Sequence, residues 1–198
     1  MSEPDPKDVF LNVPFDRAYE PLFIALVGTL AFLGQRPHCV LEVRESGDGR
    51  LARIFDVMRS CGTSVHDMSR IGRPVRFNMP FELGLAYSLK LAHPARYHVL
   101  VLDAQPYRMD RLLSDYKGRD LFIHNGRTAG VVSCVLDSFE KDPAVTAAAC
   151  REAVAELKES AVALKRDLQV DSLFRPLVFK VLVETAMKIA RTRGFIAP

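Results

Sequence analysis

Apolar residues in this chain follow two alternating rhythms. Asp8-Val-Phe-Leu-Asn12 is a short apolar run stopped by Val13-Pro14, the pattern of a buried strand ended by proline. From Arg17 to Leu33 the apolar residues Leu22, Phe23, Leu26, Val27, Leu30 and Leu33 recur at helical spacing, and Gly34 closes the segment. Cys39-Val-Leu-Glu42 predicts a second strand. Leu51 to Met58 predicts a second helix after the turn Ser46-Gly-Asp-Gly49, and Thr63-Ser-Val-His-Asp67 a third strand. Pro80 opens a helix where its missing N–H costs nothing, with the stripe Phe81, Leu85, Leu89 behind it. Tyr97-His-Val-Leu-Val-Leu102 is a nearly continuous apolar run of the kind that a buried parallel strand requires.

Strand and helix in alternation predict an α/β fold: a mostly parallel sheet with helices on both faces, joined by right-handed crossovers. Ligands in such sheets bind outside the carboxyl ends of the strands. Polar residues cluster at those places: Asn12 after the first strand, Asp67 to Asn78 after the third, Asp103 to Asp120 after the fourth. Beyond Val131 the strand signal stops. Val131 to Phe139, Pro143 to about Leu168 and Ser172 to Arg193 predict helices. The expected organisation is therefore an α/β domain over 1–142 and a helical extension over 143–198. The last helix carries Phe174, Leu177, Val178, Val181, Leu182, Ala186 and Ile189 along one side, with Phe179 and Val183 off that stripe. A helix apolar on more than one side seeks burial beyond a single contact, so a homo-oligomer or a partner protein is expected there, alongside the simpler reading of a helix wedged against its own domain.

Composition narrows the classes of function. The 198 residues hold 27 Lys+Arg against 24 Asp+Glu, and the excess is confined to one region. Residues 1–150 carry 18 basic and 18 acidic side chains, residues 151–198 nine and six. A balanced body without a basic face argues against duplex nucleic acid as a partner, because phosphate binding is driven by clustered Lys and Arg. A small acidic or neutral ligand fits better. No apolar run reaches membrane-spanning length, and the polar start MSEPDPKD is not that of a signal peptide, which together predict a cytoplasmic protein. Cys39, Cys61, Cys134 and Cys150 are far apart, as expected of buried free thiols rather than a zinc site or a disulfide framework. His66 and His124 lie in no H-x-x-x-H or H-E-x-x-H pair, so no metal is expected. Neither the P-loop nor the G-x-G-x-x-G phosphate motif occurs.

The densest polar passage flanked by apolar structure is Ser64 to Ala86, SVHDMSRIGRPVRFNMPFELGLA. Glu82 in the first turn of its helix has a structural reading, in which it complements the macrodipole with Asn78 as N-cap. It has a chemical one as well, as a nucleophile or an anion facing a sugar oxocarbenium ion. Phe81-Glu82-Leu83-Gly84-Leu85-Ala86, where glycine and alanine let the helix approach the sheet, resembles the E-[LI]-G-x-A segment of nucleoside 2-deoxyribosyltransferases. Phe10-Leu-Asn-Val-Pro-Phe-Asp16 is similar to the first strand and substrate-facing loop of that superfamily, and Cys61-Gly-Thr-Ser-Val-His-Asp-Met-Ser69 to its third strand. The superfamily includes the Toll/interleukin-receptor (TIR) domains.

The resemblance implies a flavodoxin-like sheet and Glu82 as the carboxylate that receives or stabilises the sugar. It further implies Asp67 as a second catalytic group holding the ribose hydroxyls, and Asn12, Ser69 and Asn78 as groups orienting the ring. Phe10, Pro14, His66, Arg76, Asp115 and His124 complete the implied substrate-binding set. Ser114, Asp115, Asp120 and His124 would form the far wall of a crevice whose near wall is Glu82, although a solvated loop reads equally from their sequence. Arg70, Arg73 and Arg76, every third residue, read from the sequence either as a solvated loop or, beside a crevice, as groups for a pyrophosphate, since the guanidinium fork matches phosphate oxygens. The activity implied is that of an N-glycosidase on NAD or a related nucleotide, with NAD as substrate and no cofactor. Bacterial TIR proteins often act in defence against phage, and an antiphage effector is the corresponding expectation. A non-catalytic nucleotide sensor or adaptor is the alternative. A nucleoside 2-deoxyribosyltransferase is a further one, disfavoured because Arg76-Phe-Asn-Met-Pro80 stands where the transferases carry an acidic, glycine-rich word.

Overall fold

A computed structural model describes residues 4–42, 49–70, 76–119 and 121–197. The turn expected at Ser46-Gly49 falls mostly outside them, as do Arg73 and Asp120. The strands are β1 (Asp5–Asn12), β2 (Arg36–Cys39), β3 (Cys61–Asp67), β4 (His98–Asp103) and β5 (Phe122–Ile123). The helices are α1 (Glu20–Phe32), α2 (Arg50–Ser60), α3 (Asn78–Ala92), α4 (Arg108–Leu112), α5 (Thr128–Ser138), α6 (Ala147–Asp167) and α7 (Pro176–Thr192). The strands form one parallel sheet in the order β2-β1-β3-β4-β5, the flavodoxin-like order, so the expected fold class holds.

The boundary expected at 142 does not hold. The chain divides into one compact unit of residues 1–14 and 38–126 and another of 15–37 and 127–198. The physical reason lies in α1. Nearly every one of its residues is buried, Phe23 to Phe32 without a break, and a helix apolar all round needs neighbours on several sides. α5, α6 and α7 supply them. Phe23 meets Phe15, Phe174 and Phe179, with ring centroids 6.4, 5.2 and 5.8 Å away, and Phe32 meets Phe195 at 5.6 Å. Phe179, whose place off the apolar stripe of α7 suggested an external partner, is thus buried inside this helical unit. Glu20 at the start of α1 accepts from Lys165 Nζ at 2.7 Å and from the Leu173 N–H at 2.9 Å, tying α1 to the end of α6 and the loop before α7.

In the sheet unit, Phe10 of β1 and Cys61 of β3 share an apolar cluster with Ile54 and Met58 of α2, Ala86 of α3 and Tyr97. A second cluster joins Met79 and Leu83 of α3 to Met68, Val101 and Met109. β2 lies earlier than its sequence suggested. Val40–Glu42 is a 3-10 turn in which Glu42 Oε2 accepts the Cys39 N–H at 3.0 Å, bending the chain where a strand was expected. α3 also begins earlier, at Asn78, with Pro80 tolerated in its first turn. β1 and β3 approach closely at their amino ends, where a β-carbon on Gly62 would lie 2.7 Å from Pro6 Cα. Gly84, by contrast, faces open space, so it is not what brings α3 to the sheet; the buried small residue is Ala86.

These two glycines predict opposite outcomes in urea denaturation. Gly62→Ala should lose about 1–3 kcal/mol of unfolding free energy through backbone overpacking. Gly84→Ala should gain up to about 1 kcal/mol by reducing unfolded-state freedom in an exposed helical position.

Candidate active site at the carboxyl ends of the strands

Connections leave β1 and β3 in opposite directions along the sheet, which opens a crevice at their carboxyl ends. Asn12 and His66 are register partners there. Asn12 Nδ2 donates to the Met79 carbonyl in the first turn of α3 and to His66 Nδ1, both at 3.0 Å. His66 Nε2 lies 3.0 Å from Ser64 Oγ. The partners assign both side chains: a backbone carbonyl only accepts, so the amide nitrogen of Asn12 faces Met79, His66 Nδ1 accepts, and the ring proton sits on Nε2. Full burial pushes the His66 pKa down to about 3, so the ring is neutral at ordinary pH.

Glu82 is the fifth residue of α3, not in its first turn. Asn78 is the first helical residue and is exposed, and the helix has no side-chain cap. The capping reading of Glu82 and Asn78 is therefore wrong. Glu82 is 8% exposed and shares the buried side of α3 with Met79, Leu83 and Ala86. Burial raises its pKa from the ordinary 4.5 to about 7, against the pull of the Arg50 guanidinium at the start of α2. No described residue hydrogen-bonds its carboxylate, yet its oxygens are not sealed from solvent. The other buried carboxylates are all met by donors. Glu20 has Lys165 and a backbone N–H, and Asp67 and Asp103 each have several partners.

Asp67 belongs to a different cluster. Successive strand residues point to opposite faces, so Asp67 turns away from the face that carries His66, Asn12 and α3. Its carboxylate accepts the Ser69 N–H at 2.8 Å, the Ser69 hydroxyl, and His124 Nε2–H at 3.1 Å, and it is fully buried. It has no place for ribose hydroxyls, which corrects the role expected of it. Nor do Ser69, His124 and Asp67 form a nucleophilic triad. The Gly126 N–H donates to His124 Nδ1 at 3.1 Å, which leaves the ring proton on Nε2, the nitrogen 2.8 Å from Ser69 Oγ. That nitrogen cannot take the serine proton. Beside this cluster stands one that sequence reasoning missed. Arg108 reaches Asp103 through Nε at 3.2 Å and Nη2 at 2.5 Å, and donates to the carbonyls of Ser69 and Met68 at 2.7 and 2.6 Å. Its only sequence signal is an acid ending the most apolar strand with an arginine five residues on.

Phe10, His66 and His124 are fully enclosed and present no surface to a ligand, and Pro14 is buried as well. Arg76 is half-buried, and Arg70, Ser114 and Asp115 are exposed, the last two in a 3-10 turn. The site that remains is Asn12 and Glu82, supported by His66 and Arg50. A cavity of about 310 Å³ lies at the opposite end of the sheet, between Pro6, Gly62, Thr63, Arg96 and His98, and shares none of these residues. Among the described residues no group of three or more His, Cys, Asp or Glu is arranged to hold a metal ion, and no helix is long and apolar enough to cross a membrane. Comparisons with family models, curated proteins and solved structures find nothing that matches this chain.

The raised pKa of Glu82 has a consequence for stability. A carboxyl whose folded pKa exceeds its unfolded value favours the fold below pH 4.5, and that contribution is lost as pH rises through about 7. The loss amounts to about 3 kcal/mol. Glu82→Gln should therefore match the wild type at about pH 4 and exceed it by about 1–3 kcal/mol at about pH 8 in urea denaturation. An identical pH dependence in the two proteins would contradict the assignment.

Proposed function

We propose that the protein is an N-glycosidase that cleaves the base–ribose bond of NAD or a related nucleotide, with Glu82 as the reacting carboxylate. One observation carries the reading: Glu82 is the buried carboxylate of the described chain that lacks a hydrogen-bonding partner, and it stands at the crevice where parallel sheets bind ligands. In such a reaction the glycosidic electron pair leaves with the base, and positive charge develops on the sugar carbon. A pyridinium base departs neutral and needs no proton. Ionised Glu82 stabilises or traps the cation, and water then delivers hydroxide to the sugar carbon and a proton to solvent. A poorly solvated anion suits this task, because it loses little hydration as the cation forms. Arg50 favours the ionised form that the chemistry uses.

The free enzyme needs Glu82 charged, so kcat/KM for release of nicotinamide from NAD should rise about tenfold per pH unit below 7 and level off above it. Arg50→Ala should move that limb to higher pH. Glu82→Gln should reduce release at least about a thousandfold while nucleotide binding persists. Release from Glu82→Gln at the wild-type rate, or none from the wild type on NAD, nucleosides or nucleotides at high protein concentration, would overturn the proposal.

A further inference from the structure

The amide of Asn12 is held by both of its hydrogens. One goes to the Met79 carbonyl, the other to His66 Nδ1, and His66 is itself anchored by Ser64. Its Oδ1 accepts from no described residue, and although Asn12 is 3% exposed this oxygen is not enclosed. Turning the amide over would set Oδ1 against the Met79 carbonyl and the His66 lone pair, acceptor against acceptor, so the orientation is fixed. Met79 and Glu82 lie three residues apart, on one side of α3. The crevice is therefore furnished with two accessible acceptors, the Asn12 oxygen and the Glu82 carboxylate.

We infer that His66 is a positioning residue that locks Asn12 with its oxygen outward, and that this oxygen accepts a sugar hydroxyl, so that the site selects ribosides over deoxyribosides. The inference rests on the proposed N-glycosidase reading for the identity of the donor as a sugar hydroxyl. It moves the recognition of that hydroxyl from Asp67, which is enclosed, to Asn12. Discrimination follows because a deoxy analogue leaves the Asn12 oxygen covered and unpaired, which a site built around a hydrogen bond penalises heavily. A neutral His66 sustains the arrangement, since protonation at Nδ1 would set donor against donor.

The test is calorimetric binding of adenosine 5′-monophosphate and of its 2′-deoxy and 3′-deoxy forms, together with the ¹⁵N spectrum of the His66 ring in the wild type. The wild type should bind the riboside at least about tenfold tighter than one of the deoxy forms. That preference should vanish in Asn12→Ala, fall in His66→Leu and return in part in His66→Gln, whose amide oxygen can accept from Asn12. The wild-type ring should show the proton on Nε2, a measurement that needs no variant to fold. Equal affinity for all three nucleotides, no binding of any at millimolar concentration, an unchanged preference in Asn12→Ala, or a proton on Nδ1 would overturn the inference. Binding and tautomer are read without turnover. A riboside preference dependent on Asn12 in a protein that releases no base would leave this inference standing and remove the glycosidase, whereas base release with no such preference would do the reverse.

Discussion

A carboxylate withdrawn from water costs several kcal/mol unless donors replace its hydration, and this constraint organises the carboxyl edge of the sheet. Asp67 and Asp103 end adjacent strands and are fully buried. Each has donors drawn from beyond its own strand: His124 after β5 for Asp67, Arg108 of α4 for Asp103. Arg108 also binds the two carbonyls that follow β3, and the His124 N–H donates to the Asp103 carbonyl at 3.0 Å. The ends of β3, β4 and β5 are thereby laced into one rim. Tyr107, in a left-handed conformation at φ 59°, delivers Arg108 to this position, a local cost that the rim's hydrogen bonds offset. α4 itself is only five residues long and has little stability of its own, so it is the Asp103 contact and the buried Met109 that hold it.

The helical unit is governed by the opposite need. α1 offers little polar surface, and its packing demands three helices that sequence order places far away. Gly28 shows how close that packing is, since a β-carbon there would lie 2.9 Å from Leu157 Cδ2 of α6. Glu20 is the polar exception, and it too is satisfied, by Lys165 and the Leu173 N–H. The unit is thus held by an apolar axis and fixed at one end by a partly buried ion pair, which contributes register more than net stability.

Periodicity made most elements legible. The apolar run at 97–102 is β4, and the three-and-four spacing between Arg17 and Leu33 is α1. What periodicity could not convey was which helices belong together. The signal existed in the unbroken apolar stretch around Phe23 to Val27, but an all-apolar helix says that it is covered and not by what. Ends were misjudged where side chains bend the backbone, as Glu42 does after β2, or where proline sits inside a first turn, as Pro80 does. In the site, motif resemblance drew His66, Asp67 and Ser69 into one group, whereas strand alternation divides them between the two faces. Alternation was the more reliable guide because it follows from backbone geometry at every residue, while a motif transfers roles without the contacts that create them. The pairing of Asp103 with Arg108 was not legible because it depends on a turn conformation that no local sequence pattern announces.

The same constraint that explains the rim isolates Glu82. This chain supplies donors to every other buried carboxylate of the described residues, even by recruiting a lysine and a backbone N–H across its helical unit. At Glu82 it places Met79, Leu83 and Ala86 alongside on the helix and, among the described residues, supplies the field of Arg50 without a hydrogen bond. A purely structural position would gain from glutamine or an apolar residue there, since the charge costs stability near neutral pH and anchors nothing in return. Asn12 shows the complementary arrangement: its donors are fully used, so its acceptor alone faces outward. An unsatisfied acid and an oriented acceptor at one switch point are costly as architecture and coherent as a site for a donor-bearing, cation-forming substrate.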